Sequence, residues 1–262
     1  MAKVMTNEQL VNMCKKIAKN YKTLYVYGCF GAPLNSTNKK RYTNNYDYNK
    51  RADRKKLILA ASSDTFGFDC VNLIKGILWG WNGNVNAVYG GAKYCANGVP
   101  DVSANGMMDY CTSVSTDFSK IEIGEVVWMN GHIGVYIGDG LAVECTPIWK
   151  DGVQITAVGN IGKKSGYNTR TWTKHGKLKF IEYKTIKPSS NFLPPRGYFT
   201  KGDTGENVKK IDAWFCTKVQ GDFYGDYTCA VVKEFQKQNG LEQDSNIGPL
   251  TLAKMKEQGF KE

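Results

Sequence analysis

The 262-residue chain carries 42% hydrophobic and 12% aromatic side chains, enough to bury the core of one large domain or of two unequal ones. Its apolar residues never run on for the ~18 positions a membrane span needs, and residues 1–20 lack the unbroken apolar segment of a secretory signal, so a membrane protein and a standard secreted precursor are both disfavoured. The formal charge of +11 is unevenly placed: residues 197–262 hold 9 Lys and no Arg against 10 acidic residues, a balance of −1, which leaves +12 on residues 1–196. Such a field favours polyanions, whether nucleic acid, anionic lipid or the anionic polymers of a bacterial wall, and charge alone does not choose among them.

In chain order, TNEQLVNMCKKIAKNY spaces Leu10, Met13, Cys14 and Ile17 at helical period behind Thr6 as N-cap, which predicts an amphipathic opening helix. Residues 35–56 show no apolar periodicity and read as a long polar, basic loop with a short helix near its end. From Phe68, the run DCVNLIKGILWGW predicts a buried helix, and the Gly- and Asn-rich residues 82–106 predict loop. EVVWMNGHIGVYIGDGLAVECTP then gives short β-branched runs split by Asn130-Gly131 and by Gly138-Asp139-Gly140, which are hairpin signals, with further strands expected at 153–157 and 177–183. Helices first and antiparallel strands later make an α+β domain.

The stretch KTIKPSSNFLPPRGYF at 184–199 marks a Pro- and Ser-rich linker, so we divide the chain into a domain at 1–184, a linker at 185–197 and a second domain at 198–262. The second is expected to be a small all-α three-helix domain, with helices at Glu206–Thr217, Thr228–Gln238 and Pro249–Gln258, Asp226 and Thr228 as caps, and Val208, Ile211, Phe223, Val231, Phe235 and Leu250 in its core.

Eight cysteines in a chain this long and without a signal read as reduced thiols, and only two histidines are present, so a zinc hydrolase is poorly supported and no cofactor is expected. Cys70 stands where SSDTFGFD gives way to a helix. There the helix dipole should lower its pKa and first-turn N–H groups can face an oxyanion. A base must then be His132, which opens an apolar strand, or His175, which lies among lysines and reads as solvated. Glu144 on the following strand completes a Cys, His, carboxylate order of the papain type. Glu144 reaches His132 only if the two share a sheet face, which a three-residue Gly138-Asp139-Gly140 turn would arrange by pairing Ile137 with Leu141 and Gly134 with Glu144. Cys70 Sγ is then expected at ~3 to 4 Å from the other His132 nitrogen. A lysozyme-type pair, Glu122 with Glu125, is the weaker enzymatic alternative.

LYVYG at 24–28, GFDCVNLI at 67–74 and GHIGVYIGDGLAVE at 131–144 resemble the three motifs of the NlpC superfamily of papain-like peptidoglycan hydrolases, close to its CHAP branch. The resemblance implies a papain-like fold over residues 6–183, with Cys70 as nucleophile, His132 as base, Glu144 as the residue orienting the imidazole and Tyr25 lining the cysteine. The family's usual FDCSG here reads FDCVN. FTKGDTGENVKKIDAWF, FYGDYTCAVVKEFQKQNGL and IGPLTLAKM resemble the peptidoglycan-binding three-helix domain, with Asp212 close to where Gln is usual. Together the two resemblances imply a modular wall hydrolase of endolysin or autolysin type, and the missing signal favours an endolysin made in the cytoplasm and released to act at the wall. Its partners would be peptidoglycan and anionic wall polymers, with no nucleic acid and no membrane anchor. The rival is a catalytically silent wall-binding or phage-tail structural protein.

Overall fold

The computed structural model describes residues 3–184, 192–194, 197–215 and 221–262, and the chain divides into two compact units, Met1–Tyr183 and Lys184–Glu262. Most of the expected linker lies outside the described residues, as does Cys216.

The first unit is mixed α and β. It opens with β1 (Met5–Thr6) and α1 (Asn7–Asn20), where Thr6 and Gln9 form a reciprocal capping box and Leu10, Val11, Cys14 and Ile17 are buried on one face. There follow β2 (Thr23–Tyr25) and β3 (Phe30–Pro33), then three helices, α2 (Ser36–Asn45), α3 (Asp47–Lys50) and α4 (Ala52–Ala60), and then β4 (Phe66–Phe68) and α5 (Cys70–Leu78). A short α6 (Ala104–Met107) precedes the run of strands β5 (Cys111–Ser115), β6 (Val126–Met129), β7 (His132–Gly138), β8 (Leu141–Thr146), β9 (Gly152–Val158), β10 (Thr169–Arg170), β11 (Lys174–Leu178) and β12 (Ile181–Glu182).

Seven strands form one sheet in the order β10-β9-β8-β7-β6-β11-β5, antiparallel throughout except for the parallel β10–β9 edge. Ile133, Val135, Val143, Cys145 and Val153 are buried by strand alternation, and α1 and α5 pack against β7 and β8. A second sheet, β2-β4-β3, leads directly into α5, and β1 pairs in parallel with β12, so the two ends of the unit meet.

The expected loop at 35–56 is instead helical. Its helices bury little apolar surface, chiefly Tyr42 and Ile58, so no amphipathic period shows in the sequence. Polar anchors hold them in place. Asn49 Nδ2 donates to the carbonyls of Tyr27 at 2.9 Å and Tyr42 at 3.2 Å, its Oδ1 accepts from Tyr27 N–H at 3.1 Å, and the buried Arg54 reaches Asp151 and the Tyr25 carbonyl.

The β7–β8 hairpin has the expected pairing of Gly134 with Glu144 but reaches it by another route. The turn is the two-residue Asp139-Gly140, with φ of 53° and 72° as a type I′ turn requires, and Gly138 rather than Ile137 pairs with Leu141. A bulge between Tyr136 and Gly138 supplies the one-residue shift that a three-residue turn would have supplied.

The second unit is helical, with α7 (Glu206–Trp214), α8 (Asp226–Gln238) and α9 (Pro249–Glu257), and Pro249 at the first turn of α9. Val208, Ile211, Tyr224, Val232, Phe235, Leu252 and Met255 form its core. Phe223 is exposed and its neighbour Tyr224 is buried in its place, while the burial expected of Val231 and Leu250 falls to Val232 and Leu252. The cap of α8 is Gly225 and makes no side-chain cap bond; Thr228 instead donates its hydroxyl to the buried Asp212 at 2.7 Å.

Gln236 is the buried polar centre of this unit. Its Nε2 donates to Asp244 Oδ1 and the Asn246 carbonyl, both at 2.8 Å, and to Thr251 Oγ1 at 3.1 Å, while its Oε1 accepts from Ser245 N–H at 2.9 Å. One amide therefore fixes the α8–α9 loop. Gln236→Ala strands these partners and should cost the unit about 2 kcal/mol, visible as earlier thermal unfolding of its transition in the full chain. An unchanged transition would refute this assignment.

Candidate functional site

Asp69 caps α5, accepting from Asn72 N–H through Oδ1 at 2.8 Å and from Gly28 N–H through Oδ2, also at 2.8 Å. This double tie fixes the first turn of the helix, and therefore Cys70, against the end of β2. Gly28, at φ +77°, admits the Tyr46 ring where a Cβ would lie 2.3 Å from its Cζ.

Cys70 opens into a cleft of about 800 Å³ lined by Tyr25, Tyr27 and Gly28, by Arg41, Tyr42 and Tyr46 of the helical segment at 36–60, and by Gly131 of the β6–β7 turn. Tyr25 thus shares the cleft with Cys70, and its phenol is pushed up by burial and by the nearby Asp69 and Cys70. Its peptide is held at both ends, since its N–H donates to Asp151 Oδ1 at 3.1 Å and its carbonyl accepts from Arg54.

His132 and Glu144 share a sheet face, diagonal across the Gly134–Glu144 pair. His132 Nε2–H donates to Glu144 Oε2 at 2.7 Å, which leaves Nδ1 as the unbonded ring nitrogen. The ring lies parallel to Trp172, with centroids 5.5 Å apart and planes 6° apart. Gly134 makes room for this stack, because a Cβ there would sit 3.2 Å from the Trp172 ring and 2.8 Å from the Val143 carbonyl oxygen.

Glu144 is fully buried and has further donors that sequence reasoning missed. Thr156 Oγ1 donates to Oε1 at 2.7 Å, and Arg170 Nε–H is shared between Oε1 at 2.9 Å and Oε2 at 2.7 Å. Burial drives the carboxyl upward, but the hydrogen bonds from His132 and Arg170 outweigh it and hold it below its ordinary value. Thr156 was within reach of sequence reasoning, since it lies two residues beyond Gln154, the partner of Glu144 on β9. Arg170 follows a long connection and carried no such signal.

The structure shows no Cys70–His132 hydrogen bond. Cys70 Sγ faces the Gly131 carbonyl at 3.9 Å, one residue before His132. Nor is the thiol pKa lowered: burial, then the Asp69 charge, pushes it up to about 12 and outweighs the backbone hydrogen bonds that favour the thiolate.

His175 is not solvated but buried, its Nδ1 paired with Glu125 and its Nε2–H donating to the Asp117 carbonyl at 3.1 Å. That engagement of Glu125, with Glu122 bonded to Lys177, leaves the lysozyme-type pair without two free carboxylates in a cleft. Among the described residues no three His, Cys, Asp or Glu side chains converge as metal ligands, and no helix is long and apolar enough to cross a membrane.

Residues 205–255 match the family model of a putative peptidoglycan binding domain, which spans α7 and α8 and most of α9. No curated protein matches the chain. The helical second unit therefore carries a peptidoglycan-binding domain, and peptidoglycan is the partner it supports.

Because Glu144 titrates below the ordinary 4.5, the stabilisation it gives is fully present above that value and is lost as pH falls through its folded pKa. Glu144→Gln should lower Tm at neutral pH by leaving Arg170 without its counter-charge, and the gap to wild type should begin to narrow below about pH 4.5 and close as pH falls through the folded pKa. Thermal unfolding at several pH values measures this, and a gap independent of pH would show that Glu144 is not held as the carboxylate.

Proposed function

We propose that the first unit is a cysteine amidohydrolase or peptidase of the papain-like NlpC/CHAP kind, and that the chain is an endolysin-type hydrolase of peptide bonds in bacterial peptidoglycan. One observation carries the reading: a cysteine at the first turn of a helix lines a cleft beside the turn that presents a histidine already hydrogen-bonded to a buried carboxylate. The match at 205–255 supports the wall as the place of action, and the +12 on residues 1–196 suits anionic wall polymers.

A thiol pushed up to about 12 is neutral at pH 7, so the proposed attack needs a base at the moment of reaction rather than a preformed ion pair. Substrate entering the cleft turns Cys70 Sγ from Gly131 toward His132 Nδ1. The S–H proton passes to that nitrogen as sulfur bonds the scissile carbonyl carbon, and the oxygen takes up the negative charge facing the first-turn N–H groups of α5. The C–N bond then breaks, and the departing amine takes the proton from His132. Water, deprotonated by His132, hydrolyses the thioester and restores the thiol. The wall-binding unit raises the local concentration of the first on an insoluble substrate.

The raised thiol pKa and the missing Cys70–His132 hydrogen bond favour a second reading, a wall-binding protein without catalysis. Turbidity clearing and wall pull-down decide between them. Cys70→Ala should abolish clearing and leave retention on walls intact, alkylation of the thiol should inactivate, and EDTA should not. Clearing by Cys70→Ala at the wild-type rate would sink the Cys70 mechanism, and no clearing by wild type would favour the silent protein. Mass analysis of released fragments then identifies the bond cut.

A further inference from the structure

Every acceptor position on Glu144 is filled. Oε1 takes Thr156 and Arg170, and Oε2 takes His132 and Arg170, so the two oxygens meet the roughly four donor directions a carboxylate offers. Arg170 Nε–H lies between the two oxygens and fixes the plane of the group. Arg170 is itself held from several sides: its guanidinium carbon lies 4.9 Å from the Trp149 ring centre and 5.6 Å from that of Trp172, and its Nη2 reaches Thr146 Oγ1 at 3.5 Å. Trp172 therefore touches both the cation and the imidazole, stacking on His132.

We infer that Arg170 is a positioning residue of the site, and that by locking the Glu144 carboxylate it holds His132 as the Nε2–H tautomer with Nδ1 turned to the cysteine side. The inference rests on the hydrolase reading for its effect on rate, but its geometric part does not depend on it. Without Arg170, one donor is lost from each Glu144 oxygen, the carboxylate can rotate, and the imidazole can exchange its proton between the two nitrogens. A neutral imidazole protonated on Nδ1 has no lone pair there to take the Cys70 proton.

The test is made on the full chain with ¹⁵N-labelled histidine. Wild type should show His132 as the Nε2–H tautomer. Arg170→Gln should show a mixture with the Nδ1–H form, and its maximal wall-clearing rate should fall about ten-fold or more while the wall concentration giving half that rate stays as in wild type. A folded Arg170→Gln that keeps the wild-type tautomer and the wild-type maximal rate would overturn the inference. If Arg170→Gln does not fold, Arg170→Lys, which keeps the charge but loses the shared Nε–H, carries the same readouts with the same expected and overturning results. A tautomer change in a protein whose wild type clears no walls would sustain the positioning role and sink the hydrolase reading. An unchanged tautomer in a protein that does clear walls through Cys70 would do the reverse.

Discussion

The first unit turns on one buried carboxylate. Glu144 has no exposed surface, and a carboxylate so placed persists as an anion only if donors replace the water it has lost. Those donors come from three other strands: His132 from β7, Thr156 from β9 and Arg170 from β10. Satisfying Glu144 therefore fixes the relative register of four strands. Conversely, a one-residue slip anywhere between β7 and β10 would turn one donor to the other face and leave the charge uncompensated. The bulge near Ile137 belongs to the same constraint, since it corrects the phase of an even-length turn so that Glu144 and His132 share a face.

The cleft is shaped by a different part of the chain. The first turn of α5 and the β6–β7 turn supply Cys70 and Gly131 to it, whereas Arg41 and Tyr42 of α2, Tyr46 just beyond, and Tyr25 and Phe30 of β2 and β3 line it as well. The segment α2 to α4 is tied down by Asn49 and Arg54 rather than by an apolar face, so its position depends on directed hydrogen bonds to the Tyr25 and Tyr27 peptides. Cys70 is joined to this side of the cleft, since Asp69 bonds Gly28 and the Tyr46 ring packs on Gly28, whereas His132 and Glu144 belong to the seven-stranded sheet.

Sequence patterns carried the strongly periodic elements. The capped α1, the apolar α5, the two hairpins and the wall-binding helices all have an apolar period or a turn signature that local physics can read. The helices at 36–60 were hidden because they bury few apolar side chains and hold on through polar anchors whose partners are distant in sequence. The His132–Glu144 pair was legible because both lie on one hairpin with countable register, although the register is achieved by a bulge that glycine spacing alone does not distinguish from a longer turn. Cys70 was placed at its helix terminus, but its protonation was misjudged, since a dipole argument counts the helix and omits the water removed by the surrounding fold. Arg170 was invisible because a parallel edge strand after a long connection leaves no local pattern. His175 shows the opposite error: its lysine neighbours suggest solvent, but Lys174 lies over the Trp128 ring and Lys177 bonds Glu122, while the imidazole itself is buried with Glu125.

The parallel pairing of Met5–Thr6 with Ile181–Glu182, reinforced by Val4 N–H donating to the Phe180 carbonyl at 2.8 Å, brings the entry and exit of the first unit side by side. A fold whose ends are neighbours is a closed circuit, and its architecture does not depend on where the circuit is cut. Joining these ends and opening the chain at an exposed loop, such as the one between β9 and β10, would reorder the residues without rerouting the backbone through the core. The unit is in that sense a portable cassette, able to be carried within a host loop as readily as at the head of a tandem chain.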